Sequence, residues 1–200
     1  AEGLNAQLRE YVRGRRIAYR RLGQPAAAPA PIAITALPGV ADALMLHHAG
    51  LRLGLPESEQ TEAVQAIRAV AQRNADDPFA RRVLAHAEAV YGDAAAADRL
   101  LDALIADSPN DAELLYLKGM RHLRAAEEGE DWDGEARAAR PWFVRAHRAD
   151  ANHFQTLYRY AQSLRSEQEF VSENTANVLL LAHQLAPQVT EIRMNAAAVV

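Results

Sequence analysis

Seven histidines are the side chains of this chain best suited to chemistry at neutral pH. His47 and His48 are adjacent, and sequence neighbours in a helix do not share a face. His86, His122, His147, His153 and His183 are scattered, and no HExxH or other close ligand spacing joins any of them. No metal site and no cofactor is assigned. Ser58, Ser108, Ser163, Ser166 and Ser172 have no histidine at nucleophile spacing. GxSxG, GxGxxG and phosphate-loop patterns are absent. No catalytic residue is assigned within the chain.

The acidic run Glu127, Glu128, Glu130, Asp131, Asp133 and Glu135 contains the segment Asp131-Trp132-Asp133-Gly134. Its spacing fits the middle of a calcium loop, but the first and last ligand positions would be Gly129 and Arg140, which cannot serve. The run predicts a solvated loop with Trp132 folded back on its neighbours.

Half of the 200 residues are hydrophobic, largely through alanine, while aromatics reach only 6%. That balance favours close-packed helices over sheets. A net charge of −4 argues against a chain-wide nucleic-acid footprint. Cysteine is absent, which excludes disulfides, thiolate metal sites and cysteine nucleophiles. No apolar run approaches the roughly 18 residues that suggest a membrane span, and no signal peptide is visible. Lys118 is the only lysine. The arginine bias implies a GC-rich, bacterial genome and leaves cytoplasm and periplasm equally open. Ala1 and the terminal AAAVV read as cuts from a longer protein.

The elements follow from periodicity. Residues 2–13 read as a helix with Leu4, Leu8, Tyr11 and Val12 on one face. Arg9, Arg13, Arg15, Arg16, Arg20 and Arg21 form a basic segment, expected to be solvated or partner-facing. Residues 24–31, QPAAAPAP, are an extended Pro/Ala linker. IAITAL at 32–37 is the one strand candidate. Residues 39–53 and 57–74 read as a helix pair, with Ser58 as the cap of the second.

Residues 78–111 are the clearest unit. Val83, Leu84, Ala87 and Tyr91 mark one helix, and Ala97, Leu100, Leu101 and Leu104 a second. Gly92-Asp93 is the turn between them, and Pro109 closes the unit. From 112 the pattern resumes with Leu115, Gly119 and His122. Gly119 allows close approach of a partner helix. Ala139, Phe143 and Ala146 mark the next helix, with Pro141 read as a first-turn residue. Leu157, Tyr160, Ala161 and Leu164 line a further helix, and Leu179, Ala182 and Pro187 its partner. Leu101 is expected in the core and Lys118 on the surface.

The length of 78–111, 34 residues, matches one helix–turn–helix repeat period. With Leu84, Ala85, Ala97, Leu101, Leu104 and Pro109 at its small and apolar places, the unit resembles a tetratricopeptide repeat (TPR), although Arg81 stands where an early aromatic is expected. The resemblance implies an all-α solenoid of stacked helix-turn-helix repeats. Its units would be about 39–77, 78–111, 112–153, 154–189 and a partial 190–200, preceded by an amino-terminal helix and linker over 1–38.

It also implies a ligand-facing groove on the first helix of each unit. Carried over by alignment, its residues are Arg82, His86, Tyr116, Met120, Tyr158 and Gln162. The expected function is a protein-interaction scaffold holding a partner protein or an extended peptide with acidic and apolar side chains. The lysine and asparagine that clamp chaperone carboxylates elsewhere in that family are missing here. Self-association through exposed apolar ends is a competing expectation, and nothing favours a nucleic-acid or membrane partner.

A second resemblance rests on AEGLNAQL and GRRIAYRRLGQP near the start. These are similar to the segment after the zinc-binding helix of gluzincin metallopeptidases of the peptidase-MA kind. It implies that Glu2 is a stranded third zinc ligand. The chain would then be the non-catalytic carboxyl-terminal part of a peptidase whose HExxH lies upstream of this chain.

Overall fold

The computed structural model describes residues 36–129, 131–165 and 172–199. Glu2, the helix expected at 2–13, the arginine-rich segment, the linker and most of the strand candidate lie outside these residues. The chain divides into two units, 1–36 and 37–200, and every described helix belongs to the second.

Among the described residues every regular element is a helix. They are α1 (Ala41–Leu53), α2 (Glu57–Arg73), α3 (Pro78–Tyr91), α4 (Ala94–Asp107), α5 (Ala112–Glu128), α6 (Trp132–Ala149), α7 (Phe154–Ser163), α8 (Glu173–Leu185) and α9 (Thr190–Ala198). Their starts have a common cause. Asp77, Asp93, Asp111 and Asp131 each accept a hydrogen bond from the backbone N–H three residues on, at Ala80, Ala96, Leu114 and Gly134. Ser172 caps α8 in the same way through Thr175. Each such cap satisfies an orphan donor and is worth about 1 kcal/mol. Ser58 does not cap α2: the helix begins one residue earlier, behind Pro56, with no side-chain cap.

Each helix packs on the next in sequence, and the first helices α1, α3, α5 and α7 also pack on one another in order. A second helix therefore lies between the first helix of its own unit and that of the following unit. This stacks the pairs and gathers the first helices onto one face. The core runs through the stack as separate clusters that straddle the joints. Leu44, Leu51, Val64, Ile67, Val83 and Ala87 join the first two pairs. Ala85, Ala97, Leu101, Leu104, Leu114, Leu115 and Ala146 join the second and third. Leu157, Leu179, Ala182 and Ile192 form the last cluster. Gly119 of α5 sits directly against the Phe143 ring of α6.

Three further sequence expectations change in the fold. The acidic run is not a long loop: α5 continues to Glu128 and α6 starts at Trp132. The extra residues lengthen two helices that pack along each other, because Asp131 caps α6 and Glu135 binds back to His122 of α5 at 2.7 Å. Trp132 does fold back, against the cluster of Met120, Leu123 and Phe143. Consequently Pro141 lies inside α6, not in its first turn. Its missing N–H leaves the carbonyl of the exposed Arg137 without a helical donor, which solvent can satisfy.

Lys118 is not a surface residue. It is 6% exposed, and its ammonium donates to Asp98 Oδ1 at 2.8 Å and Asp102 Oδ1 at 2.6 Å. Asp98 also receives Arg121, at 3.0 Å. Burial opposes ionisation of Asp98, but Lys118 and Arg121 outweigh it and hold the carboxyl below its ordinary range.

Polar struts cross the other joints. Arg68 of α2 grips Glu88 of α3 with two hydrogen bonds of 2.6 and 2.7 Å. Arg124 of α5 donates to the carbonyls of Glu88 and Gly92 at the end of α3. Arg140 of α6 reaches the Ser163 carbonyl at the end of α7, at 2.8 Å. Arginine thus satisfies last-turn carbonyls across two unit boundaries.

Candidate binding groove

The first helices leave a cleft of about 370 Å³ between them. Its walls come from Leu51 to Gly54 at the end of α1, His86 and Val90 of α3, and Glu113, Tyr116 and Met120 of α5. His153, Tyr158 and Arg159 at the start and middle of α7 continue it, and Val189, Glu191 and Ile192 at the start of α9 close it. The helical period brings these residues together, because side chains three or four apart on one first helix share its inner face.

Of the six residues aligned from the repeat pattern, His86, Tyr116, Met120 and Tyr158 line this cleft. Arg82 lines a smaller adjoining pocket, and its guanidinium donates to Asp111 at 2.8 Å. Gln162 is not among the lining residues; its amide oxygen accepts a hydrogen bond from Arg159 at 2.7 Å.

The cleft carries alternating charge on an aromatic and aliphatic base. Glu113 faces His153 Nε2 at 3.3 Å and Arg52 at 4.0 Å. Burial raises the Glu113 pKa, but the hydrogen bond from His153 and the Arg52 charge outweigh it, so the carboxyl stays ionised. The other ring nitrogen of His153 meets Thr156 Oγ1 at 2.7 Å. Tyr116 packs its ring between those of Phe143 and His153, with centroids 6.2 and 5.0 Å away. Burial pushes its hydroxyl pKa up. Tyr158 donates to Glu191 Oε1 at 2.5 Å, and burial together with that carboxylate keeps the phenol protonated.

His86 is 5% exposed. Its Nδ1 has no hydrogen-bond partner among the described residues. Burial lowers its pKa to about 4, so it is neutral at pH 7. His48 crosses it edge to face at 5.8 Å and is lowered in turn, by burial and then by Arg52.

Sequence reasoning missed Glu113, Arg52, His153, Arg159 and Glu191. Glu113 was within reach: three residues before Tyr116, it lies on the same helical face. Arg52 and His153 stand at a helix end and before a helix start, where periodicity assigns no face. Among the described residues no cluster of three or more potential metal ligands is present, and no helix is long and apolar enough to cross a membrane.

This groove-bearing stack of helix pairs is an all-α, TPR-like helical repeat array. Solved structures share it. Residues 41 to the end of MamA from Desulfovibrio magneticus RS-1 match with a TM-score of 0.54 at 18% identity, over 82% of this chain and 85% of that one. TTC0263, a thermophilic TPR protein of Thermus thermophilus, matches with a TM-score of 0.50 at 16% identity, over 80% of this chain and 98% of that one. At these identities the shared property is the fold. No protein-family profile matches the chain, and no curated protein matches it.

Proposed function

We propose that this protein is an interaction scaffold that holds an extended peptide segment of a partner protein in the cleft formed by α1, α3, α5 and α7. In this reading residues 39–200 are the binding module and 1–38 a separate leading segment. The supporting observation is the lining itself. Leu51, Val90, Met120 and Ile192 give the cleft an apolar base, while Arg52 and Arg159 offer cations to a ligand carboxylate. Arg82, already paired with Asp111, serves the scaffold more than the ligand. The ligand class is therefore a peptide with apolar and acidic side chains.

Peptides selected on the whole chain from a displayed library test this reading. Met120→Ala and Arg159→Ala should each weaken the selected peptides about tenfold, which is roughly 1.4 kcal/mol, with helicity retained. Unchanged affinity in both variants would move the site off the groove. A second reading, self-association through the ends of the array, rests on Leu46 of α1, 85% exposed, and Met194 of α9, 66% exposed. Sedimentation at rising protein concentration separates the two, since the scaffold reading needs no change in mass.

A further inference from the structure

We propose that the second-helix side of the array holds a site for a small amphipathic carboxylate, a free apolar acid whose body enters a slot between α6, α7 and α8 and whose head meets Arg148 and Arg145. The slot holds about 310 Å³, within the range of about 300–1,000 Å³ common for small-ligand sites. Helical spacing builds its walls. α6 presents Val144 and Arg148, α7 presents Leu157 and Tyr160, and α8 presents Asn174, Val178 and Leu181. The buried Phe143 and Leu157 lie at its base. None of the slot residues lines the groove, and on α7 they take the opposite side from Phe154, Tyr158 and Arg159. The site is therefore independent of the groove reading.

Two observations point to a ligand here. The slot is apolar without being covered: Phe143, Val144, Leu157, Tyr160, Val178 and Leu181 line it, and Leu181 is still 38% exposed. An apolar occupant gains by removing that surface from water. The second observation is an uncompensated cation at the rim. Arg148 borders both the slot and a second hollow of about 490 Å³, which Arg145, Asn110 and Leu115 also line. Arg148 has no hydrogen-bond or ion-pair partner among the described residues. Arg145 stacks on Trp142 at 4.8 Å and gives an N–H to the Pro109 carbonyl at 3.4 Å. A guanidinium has five N–H donors, so Arg145 keeps donors open to the hollow.

Charge selects the ligand class. No aspartate or glutamate among the described residues lines either hollow. The groove differs, because Glu113 and Glu191 stand there beside its arginines. Asp150, just past the end of α6, accepts the Asn152 N–H at 2.9 Å and lines neither hollow. The positive charge at the rim is thus left for a ligand to balance. The planar fork of a guanidinium matches a carboxylate. An apolar slot that adjoins such a fork fits a molecule apolar at one end and anionic at the other. A neutral apolar molecule leaves the cation unmatched, and acetate leaves the slot unfilled.

Octanoate is the probe, titrated into the whole chain and followed by calorimetry and NMR. Saturable binding should shift the amides of α6, α7 and α8 around the slot and leave those of Tyr116 and Met120 in the groove unmoved. Octanol should bind more weakly by about tenfold or more, the scale of one hydrogen bond to a charged group, and acetate should not saturate. Arg148→Gln changes an exposed side chain, so the melting temperature should hold while octanoate weakens by about the same tenfold and octanol does not. Leu181→Asn should weaken both. No saturable octanoate binding would overturn the site. Equal affinity for octanoate and octanol, or an octanoate affinity unchanged in Arg148→Gln, would overturn the carboxylate assignment. Shifts confined to the groove would overturn the slot as the place where the acid binds. A peptide with an apolar last residue that binds more tightly than octanoate, and loses that binding when its carboxyl terminus is amidated, would overturn the free acid in favour of a protein carboxyl terminus.

Discussion

The α carbon of Gly119 lies against the ring of Phe143 so closely that a Cβ there would come within 2.5 Å of the ring edge. The aromatic of one helix fills the space that the other helix leaves by having no side chain. Phe143 is fully buried and cannot swing into solvent.

Two opposing effects decide what Gly119→Ala does. Alanine gains up to about 1 kcal/mol of helix propensity over glycine. Overpacking against a fixed ring costs about 1–3 kcal/mol. The expected outcome is net destabilisation in chemical denaturation. Adding Phe143→Leu to Gly119→Ala should cost less than the two single changes summed, because the second relieves the clash made by the first. Additive losses would show that the two positions do not compete for the same space.

Lys118→Ala should destabilise by about 1.5–3 kcal/mol, the range for hydrogen bonds to charged groups, since it removes the buried ammonium that Asp98 and Asp102 share. Leu101→Ala, in the fully buried joint between α4 and its neighbours, should cost about 2–5 kcal/mol. Urea midpoints compare them. A Lys118→Ala loss under about 0.5 kcal/mol, the usual surface value, would place the lysine in solvent.

Acid should weaken the joint between α2 and α3 in a defined direction. Burial alone would raise the Glu88 pKa, but Arg68 and the Asp93 N–H outweigh it and set the folded value below the ordinary 4.5. That contribution is complete above 4.5 and is lost as pH falls through the lowered folded value. In Arg68→Ala the ion pair is gone and burial remains, so the Glu88 pKa climbs. The stability gap between wild type and Arg68→Ala should therefore shrink as the pH falls from the raised Glu88 value of the variant to the lowered value of the wild type. A gap that stays constant would mean Glu88 does not titrate with folding.

His86 acts at higher pH. Its folded value of about 4 lies below the ordinary 6.5, so the unfolded chain takes up the proton first. Its contribution is complete above 6.5 and is lost as the pH falls to about 4, by up to about 3 kcal/mol at 1.36 kcal/mol per unit. His86→Leu should flatten the denaturation profile across that window. An unchanged slope would show that His86 is solvated in the folded protein.

Periodicity and punctuation in the sequence determined the helices, the turn at Gly92-Asp93, the stop before Pro109 and the apolar joints at Ala97, Leu101 and Phe143. These are local matters: a 3.6-residue period says which side chains share a face, and Gly, Pro and Asp say where a helix can start or end. The sequence could not say what covers the other faces. α5 is flanked by α3, α4 and α6, so it is buried nearly all round, and Lys118 finds Asp98 and Asp102 on a helix that its own period does not mention. The same holds for Arg82 with Asp111 and for Glu113 with His153, separated by 29 and 40 positions. The acidic run looked like a loop because its residues suit solvent; caps and packing made it helix. Which distant charges meet is set by how one pair stacks on the next, and only the tertiary structure decided that.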